Sequence, residues 1–145
     1  MKITILDCLE GQEEEITVKC HVLDDRIVNL LNAFKTEKEK LVFYKDGNII
    51  LIDQQEIFYI ESVDDLVFAY TKNGAFESKD KLYQMEKLLS PKYFMRANKS
   101  TILNINHVKS LAPAFGSRFE ATLKNDCRII ISRMYVPVLK QILGL

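Results

Sequence analysis

Between Pro91 and Asn104 the chain gathers three cations, Lys92, Arg96 and Lys99, among the short polar side chains Asn98, Ser100, Thr101 and Asn104. Tyr93, Phe94, Ile102 and Leu103 flank them as apolar anchors. Lysine and arginine donate to phosphate oxygens and to guanine, and amides pair with base edges, so a short anchored segment of this composition has the chemistry to read a nucleic acid. An ordinary polar loop has the same composition, and the segment alone does not separate the two.

The distribution of charge favours an anionic partner. Formal net charge is zero, yet residues 1–90 hold 18 acidic against 11 basic side chains, whereas residues 91–145 hold 9 basic against only Glu120 and Asp126. Such a split points to an anionic ligand for the basic part, unless the two parts neutralise each other within one fold. Catalysis has no visible apparatus. There is no nucleophile beside a base, no phosphate-cradling glycine loop and no ligand spacing around His21 or His107. The pair Asp64-Asp65 sits beside Ser62 between two expected strands, where a solvated turn accounts for it. Neither enzyme activity nor a cofactor or metal is expected. Cys8, Cys20 and Cys127 match no paired spacing and are expected reduced and at least partly buried. No apolar run approaches the roughly 20 residues of a spanning helix, and the first residues make no signal peptide, so a cytoplasmic location is expected.

At 145 residues the chain is the size of one domain with a small appendage. Ile3 to Leu6 and Ile16 to Val22 alternate as strands do, and Asp24 or Asp25 can cap a helix carrying Ile27, Leu30, Leu31 and Phe34. A charged connection over Lys35 to Lys40 follows. Leu41–Tyr44 and Ile49–Ile52 form a hairpin about Asp46-Gly47-Asn48, and Ile57–Glu61, Val67–Thr71 and Ala75–Glu77 form further strands, the last two joined at Asn73-Gly74. A helix is expected from Lys81 to Leu89, with Asp80 as its cap and Ser90-Pro91 as its stop. Val108–Leu111, Phe119–Leu123 and Arg128–Ile131 read as strands, and Ser132 as the cap of a closing helix with Pro137 in its first turn. The expected fold is mainly β with short helices: residues 1–40 as a β-β-α module, residues 41–145 as a strand-rich domain.

From Ile57 onward the chain resembles a LytTR domain, the DNA-binding module of LytR and AgrA type regulators. The resemblance rests on Ile57-Phe-Tyr-Ile-Glu-Ser62, the Lys81 to Leu89 helix, the run Tyr93 to Asn104, and Ile131-Ser132-Arg133-Met-Tyr135 leading into Leu139-Lys140. These occur in the family's order and at about its spacings over some 100 residues. The resemblance implies an elongated antiparallel β fold whose loops enter the DNA grooves. It implies contacts from the loop after the Glu-Ser pair, here Asp64 and Asp65, from Asn98, Lys99 and Ser100, and from Arg133. It also implies a form without a receiver domain, since some 40 residues are too few for one.

Each position has its own chemistry. Lys99 is a flexible cation able to reach guanine or a phosphate, or to remain solvated. Arg133 offers a planar fork suited to guanine, and beside Ser132 at a helix start it stands near backbone N–H groups that favour phosphate. Arg96 either contacts DNA or turns inward to pair with a carboxylate such as Glu61. Asn104 reads as a turn-stabilising side chain bonded to backbone. Asn98 replaces the family's usual histidine. The acidic Asp64-Asp65 repels phosphates, which makes Lys72 and Asn73 at the neighbouring turn alternative contacts. The expected partners are double-stranded DNA carrying promoter repeats, a second copy of the chain, and a membrane-bound regulatory protein docking on the acidic N-terminal module. From another class, a β-rich module whose basic half docks an acidic protein is the alternative; an RNA-binding role ranks behind both.

Overall fold

A computed structural model describes residues 2–35 and 40–145, and the chain divides into two units, Met1–Thr36 and Glu37–Leu145. In the first unit the expected helix forms as α1 (Asp25–Lys35). Its cap is Asp24, whose carboxylate accepts from the Ile27 N–H at 3.2 Å and pairs with Arg26 at 3.1 Å. The two expected strands do not form: Ile3–Leu6 and Ile16–Val22 belong to no sheet, and the segment between them makes one turn closed by a Gln12 N–H to Leu9 carbonyl bond. Two lone strands with no apolar layer beneath them have nothing against which to bury an alternating face. Ile3, Ile5, Leu6 and Ile16 are accordingly exposed, and so are Cys8 and Cys20, contrary to expectation; Cys127 is half-buried, and all three are free thiols. The charged connection expected over Lys35 to Lys40 lies outside the described residues at 36–39, as does the side chain of Phe34.

The second unit holds two antiparallel sheets. The larger contains β1 (Lys40–Lys45), β2 (Asn48–Asp53), β3 (Tyr59–Val63), β4 (Leu66–Thr71), β5 (Gly74–Ser78), β6 (Phe94–Asn98) and β7 (Thr101–Asn104), in the spatial order β2-β1-β5-β4-β3-β7-β6. The smaller contains β8 (Val108–Ala114), β9 (Arg118–Leu123) and β10 (Arg128–Ile131) with β9 central. Two short helices, α2 (Leu82–Leu88) and α3 (Val136–Leu143), and the 3-10 turns Gln54–Glu56, Ile105–His107 and Arg133–Tyr135 accompany the sheets. Among the described residues no helix is long and apolar enough to cross a membrane.

Turn chemistry sets the register of the hairpins. Asp46 and Gly47, and likewise Asp64 and Asp65, occupy the left-handed region in pairs, with φ of 50° and 79°, and of 49° and 65°. Two such residues in succession give the turn whose twist matches the flanking strands. Pro113 continues β8 past the expected end at Leu111, because β8 is an edge strand and needs no donor on its open side.

The segment from Phe94 to Asn104 folds as the hairpin β6–β7 rather than a loop. Its strands escape the period-two pattern because β7 is buried on both faces between β3 and β6. Phe94 and Ile102 enter a core with Phe43, Ile57, Ile60 and Met85; Met95, Ala97 and Leu103 enter a second core with Leu123, Ile131 and Leu139. Asn104, fully buried, lies where these meet: its Nδ2 donates to the Ile57 carbonyl at 2.9 Å and its Oδ1 accepts from the Asn106 N–H at 2.9 Å. It is the turn-stabilising residue expected.

Two caps differ from expectation. Asp80 is not the cap of α2: its own N–H is held by the Ser78 hydroxyl at 3.0 Å, and the helix start is closed instead by Gln84 Oε1 accepting from the Lys81 N–H at 2.8 Å. Ser132 does not cap α3, because a 3-10 turn, Arg133–Tyr135, comes between them. Pro137 does stand in the first turn of α3.

Tyr59 stacks on Tyr70 with ring centroids 4.5 Å apart, and burial pushes its phenol up to about 12, helped by Cys127 and by the neighbouring Tyr70 and Glu61. A pKa raised on folding favours the protonated state in the native chain. Its stabilising contribution is whole below the ordinary tyrosine range near 10 and is lost as pH rises toward 12. Urea midpoints should therefore fall between pH 10 and 12, and Tyr59→Phe should flatten that fall; an equal fall in the variant would contradict the assignment.

Candidate nucleic-acid interface

The β6–β7 turn is held by its own side chains. The Arg96 guanidinium reaches along the strand, with Nε donating to the Asn98 carbonyl at 2.9 Å and an Nη to the Lys99 carbonyl at 2.8 Å. Its other Nη pairs with Glu86 of α2 at 3.1 Å. Arg96 is thus a brace, as one of the two expectations had it, but its carboxylate is Glu86 and not Glu61. Glu61 lies on β3 opposite Thr101 and Phe68. With three N–H groups committed, Arg96 shapes the turn from within.

Asn98 is committed as well. Its Oδ1 accepts from both the backbone N–H and the hydroxyl of Ser100 at 3.0 Å, and its Nδ2 donates to the Ile130 carbonyl of β10 at 2.9 Å. One amide hydrogen is left over. Asn98 and Ser100 therefore fix the turn, and Lys99 is the side chain they present: it is exposed and in no ion pair among the described residues.

Arg133 is carried to the same place by a backbone junction. The pairing of β6 with β7 slips between Arg96 and Asn98, a bulge that leaves Ala97 out of register. The freed Ala97 carbonyl accepts from the Ser132 N–H at 2.8 Å and from the Ser132 hydroxyl at 3.4 Å. The role of Ser132 is thus to tie the end of β10 to β6. Arg133 follows, exposed and unpaired among the described residues, and Lys99 stands two residues beyond Ala97. The two cations belong to segments of different sheets joined by this contact.

Topology sorts the remaining candidates. The Ser62 N–H donates to the Ser100 carbonyl at 2.8 Å, so the β3–β4 turn with Asp64 and Asp65 lies at the Lys99 end of the large sheet. Lys72 and Asn73 form the β4–β5 turn at the other end of β4, beside the β1–β2 turn, where Lys45 Nζ approaches Gly74. They are not brought together with Lys99 and Arg133. A strand's length separates two turns that are neighbours in sequence.

Internal pairing thins the basic C-terminal part. Lys109 pairs with Asp126 at 3.5 Å, Arg128 with Glu120 at 3.8 Å and Arg96 with Glu86. Lys99, Arg118, Lys124, Arg133 and Lys140 are exposed without ion pairs among the described residues, and of these Lys99, Arg133 and Arg118, the last at the β8–β9 turn, lie toward the junction. Because Arg118 opens β9 opposite Ala114, at the end of the ribbon where β10 gives way to Ser132, it joins the same region. The only sequence signal for it is a cation directly after Gly116-Ser117. The Ala97 junction has none, since any residue supplies a carbonyl.

The family profile of the LytTr DNA-binding domain matches residues 47–144 of this chain. The chain belongs to the LytTr DNA-binding domain family. A solved LytTr domain from Bacillus cereus superposes with a TM-score of 0.70 at 25% identity, covering 74% of this chain and 99% of that one. The sensory transduction protein LytT of Bacillus cereus is 29% identical over 139 residues, covering 83% of this chain and 56% of LytT. An uncharacterized HTH-type transcriptional regulator of Staphylococcus aureus is 26% identical over 147 residues, covering 100% of this chain and 99% of its own length. The chain spans little more than half the length of the LytT relative. Within this LytTr fold the β6–β7 turn, the β3–β4 turn and the Ser132-Arg133 segment share one end of the second unit.

Bracing and presented residues should respond differently to truncation. Arg96→Ala leaves two carbonyls without their donor and should cost about 1–3 kcal/mol of stability, whereas Lys99→Ala should stay within about 0.5 kcal/mol of the parent. Urea denaturation of both variants checks this; equal losses would contradict the division of roles.

Proposed function

We propose that this chain is a sequence-specific, double-stranded DNA-binding transcriptional regulator that works without catalysis in the cytoplasm. The observation that carries the reading is the junction of Ala97 with Ser132, which holds two unpaired cations, Lys99 and Arg133, at one end of a LytTr domain. Arg133 reads guanine through its fork, Lys99 reaches a guanine or a phosphate, and Asn98, Ser100, Arg96 and Ser132 hold the two in place. Lys72 and Asn73 take no part. The carboxylates of Asp64 and Asp65 stand beside the same surface, where they weaken binding to phosphate and accept only from the amino groups of cytosine or adenine. Family membership leaves the alternative of an acidic-protein docking module without support.

The regulator acts as a homodimer on repeated half-sites, and residues 1–38 supply the dimerisation or docking surface. The exposed Ile3, Ile5, Leu6 and Ile16 of the first unit support this, since apolar side chains left in water favour association. Removal of residues 1–38 should convert the dimer to a monomer in sedimentation; a dimer that survives the deletion would refute the dimerisation role.

In gel shifts with a duplex enriched from a randomised pool, log affinity should fall with log salt by about 0.9 for each phosphate neutralised. Arg133→Ala should cost about 1–3 kcal/mol and relax preference at one base pair. A loss equal on all duplexes would make Arg133 a phosphate contact. Absence of binding at low salt would overturn the function.

A further inference from the structure

The β8–β9 ribbon runs past the end of its neighbour. Ile131, the last residue of β10, lies opposite Phe119, yet the ribbon continues through Ala114 opposite Arg118 before Phe115, Gly116 and Ser117 turn it. At about 3.3 Å per residue the tip stands roughly 7–10 Å beyond the level at which Ser132 and Arg133 leave the sheet. Gly116 and Ser117 both hold left-handed φ, 75° and 61°, which defines the shape of the turn. At that tip Phe115 is 95% exposed, and Arg118 next to it is exposed too. Among the described residues no strand, core or neighbouring side chain accounts for a phenyl ring so placed, and leaving one in water forgoes about 1.5–3 kcal/mol of burial.

We infer that Phe115 is a DNA-reading residue, carried into the major groove by the β8–β9 ribbon, where its ring packs on the C5 methyl of a thymine. The inference rests on the DNA-binding reading of the end that holds Lys99 and Arg133, with which the ribbon tip is continuous. In undeformed B-DNA a two-stranded ribbon fits the major groove, about 12 Å wide, and not the minor groove, about 6 Å wide, which selects the major groove. Within that groove the thymine methyl is the apolar feature a ring can recognise. Arg118 supplies the phosphate contact that seats the ribbon, whereas Phe115, being neutral, adds sequence preference and no salt dependence.

The test uses the full chain and a duplex it enriches from a randomised pool. Phe115→Ala should bind that duplex about tenfold more weakly, with unchanged salt slope and unchanged affinity for a random duplex. Its thermal unfolding should match the parent, since the ring packs on nothing. Replacing thymines one at a time by deoxyuridine removes the methyl. At one position this should weaken the parent about fourfold and leave Phe115→Ala unaffected. Parent-like binding by Phe115→Ala, or the same deoxyuridine loss in both proteins, overturns this inference alone. Failure of the parent to enrich any sequence overturns it together with the DNA-binding reading.

Discussion

One backbone hydrogen bond organises the end of this domain that carries Lys99 and Arg133: the Ser132 N–H donating to the Ala97 carbonyl at 2.8 Å. β6 is the edge strand of the large sheet, and its Ala97, left out of register by the bulge between Arg96 and Asn98, becomes an acceptor for the residue that follows the small sheet. The Asn98 Nδ2 bond to the Ile130 carbonyl repeats the link two residues away. With both in place, a lysine from a hairpin turn and an arginine from a 3-10 turn share one surface. Their separation depends on packed backbone, not on flexible side chains alone.

The electrostatics follow from which cations the fold consumes. Lys109 and Arg128 pair with Asp126 and Glu120, the two carboxylates of the C-terminal part, and Arg96 pairs with Glu86 of α2, so these three cations are accounted for within the fold. The exposed remainder at the junction is small and local, Lys99, Arg118 and Arg133, with the carboxylates of Asp64 and Asp65 across the turn from Lys99. A mixed surface of this kind attracts phosphate less than a uniformly basic one and leaves more of the discrimination to base contacts.

Much of this was legible before folding. Asp46-Gly47 announced its hairpin, Asp24 its helix, Asn104 its backbone bonds and the ordered motifs from Ile57 the family, because each depends on local chemistry or on residue order. What escaped depends on tertiary context. β6 and β7 lost their alternation to burial on both faces, the N-terminal segments showed alternation without a partner sheet, and Ser132 looked like a cap because its true acceptor lies 35 residues away. Lys72 and Asn73 were candidates through nearness in sequence to Asp64, a nearness that an antiparallel strand converts into opposite ends of a sheet.

The end of the second unit assembled by the Ala97–Ser132 junction is the surface proposed to meet DNA, and titrating the 15N-labelled chain with its enriched duplex while following backbone amide shifts tests this. Changes should concentrate at Asn98 to Ser100, Ser132 to Arg133 and Phe115 to Arg118, with the Lys72-Asn73 and Asp46-Gly47 turns unmoved. Changes centred on those two turns instead would contradict it.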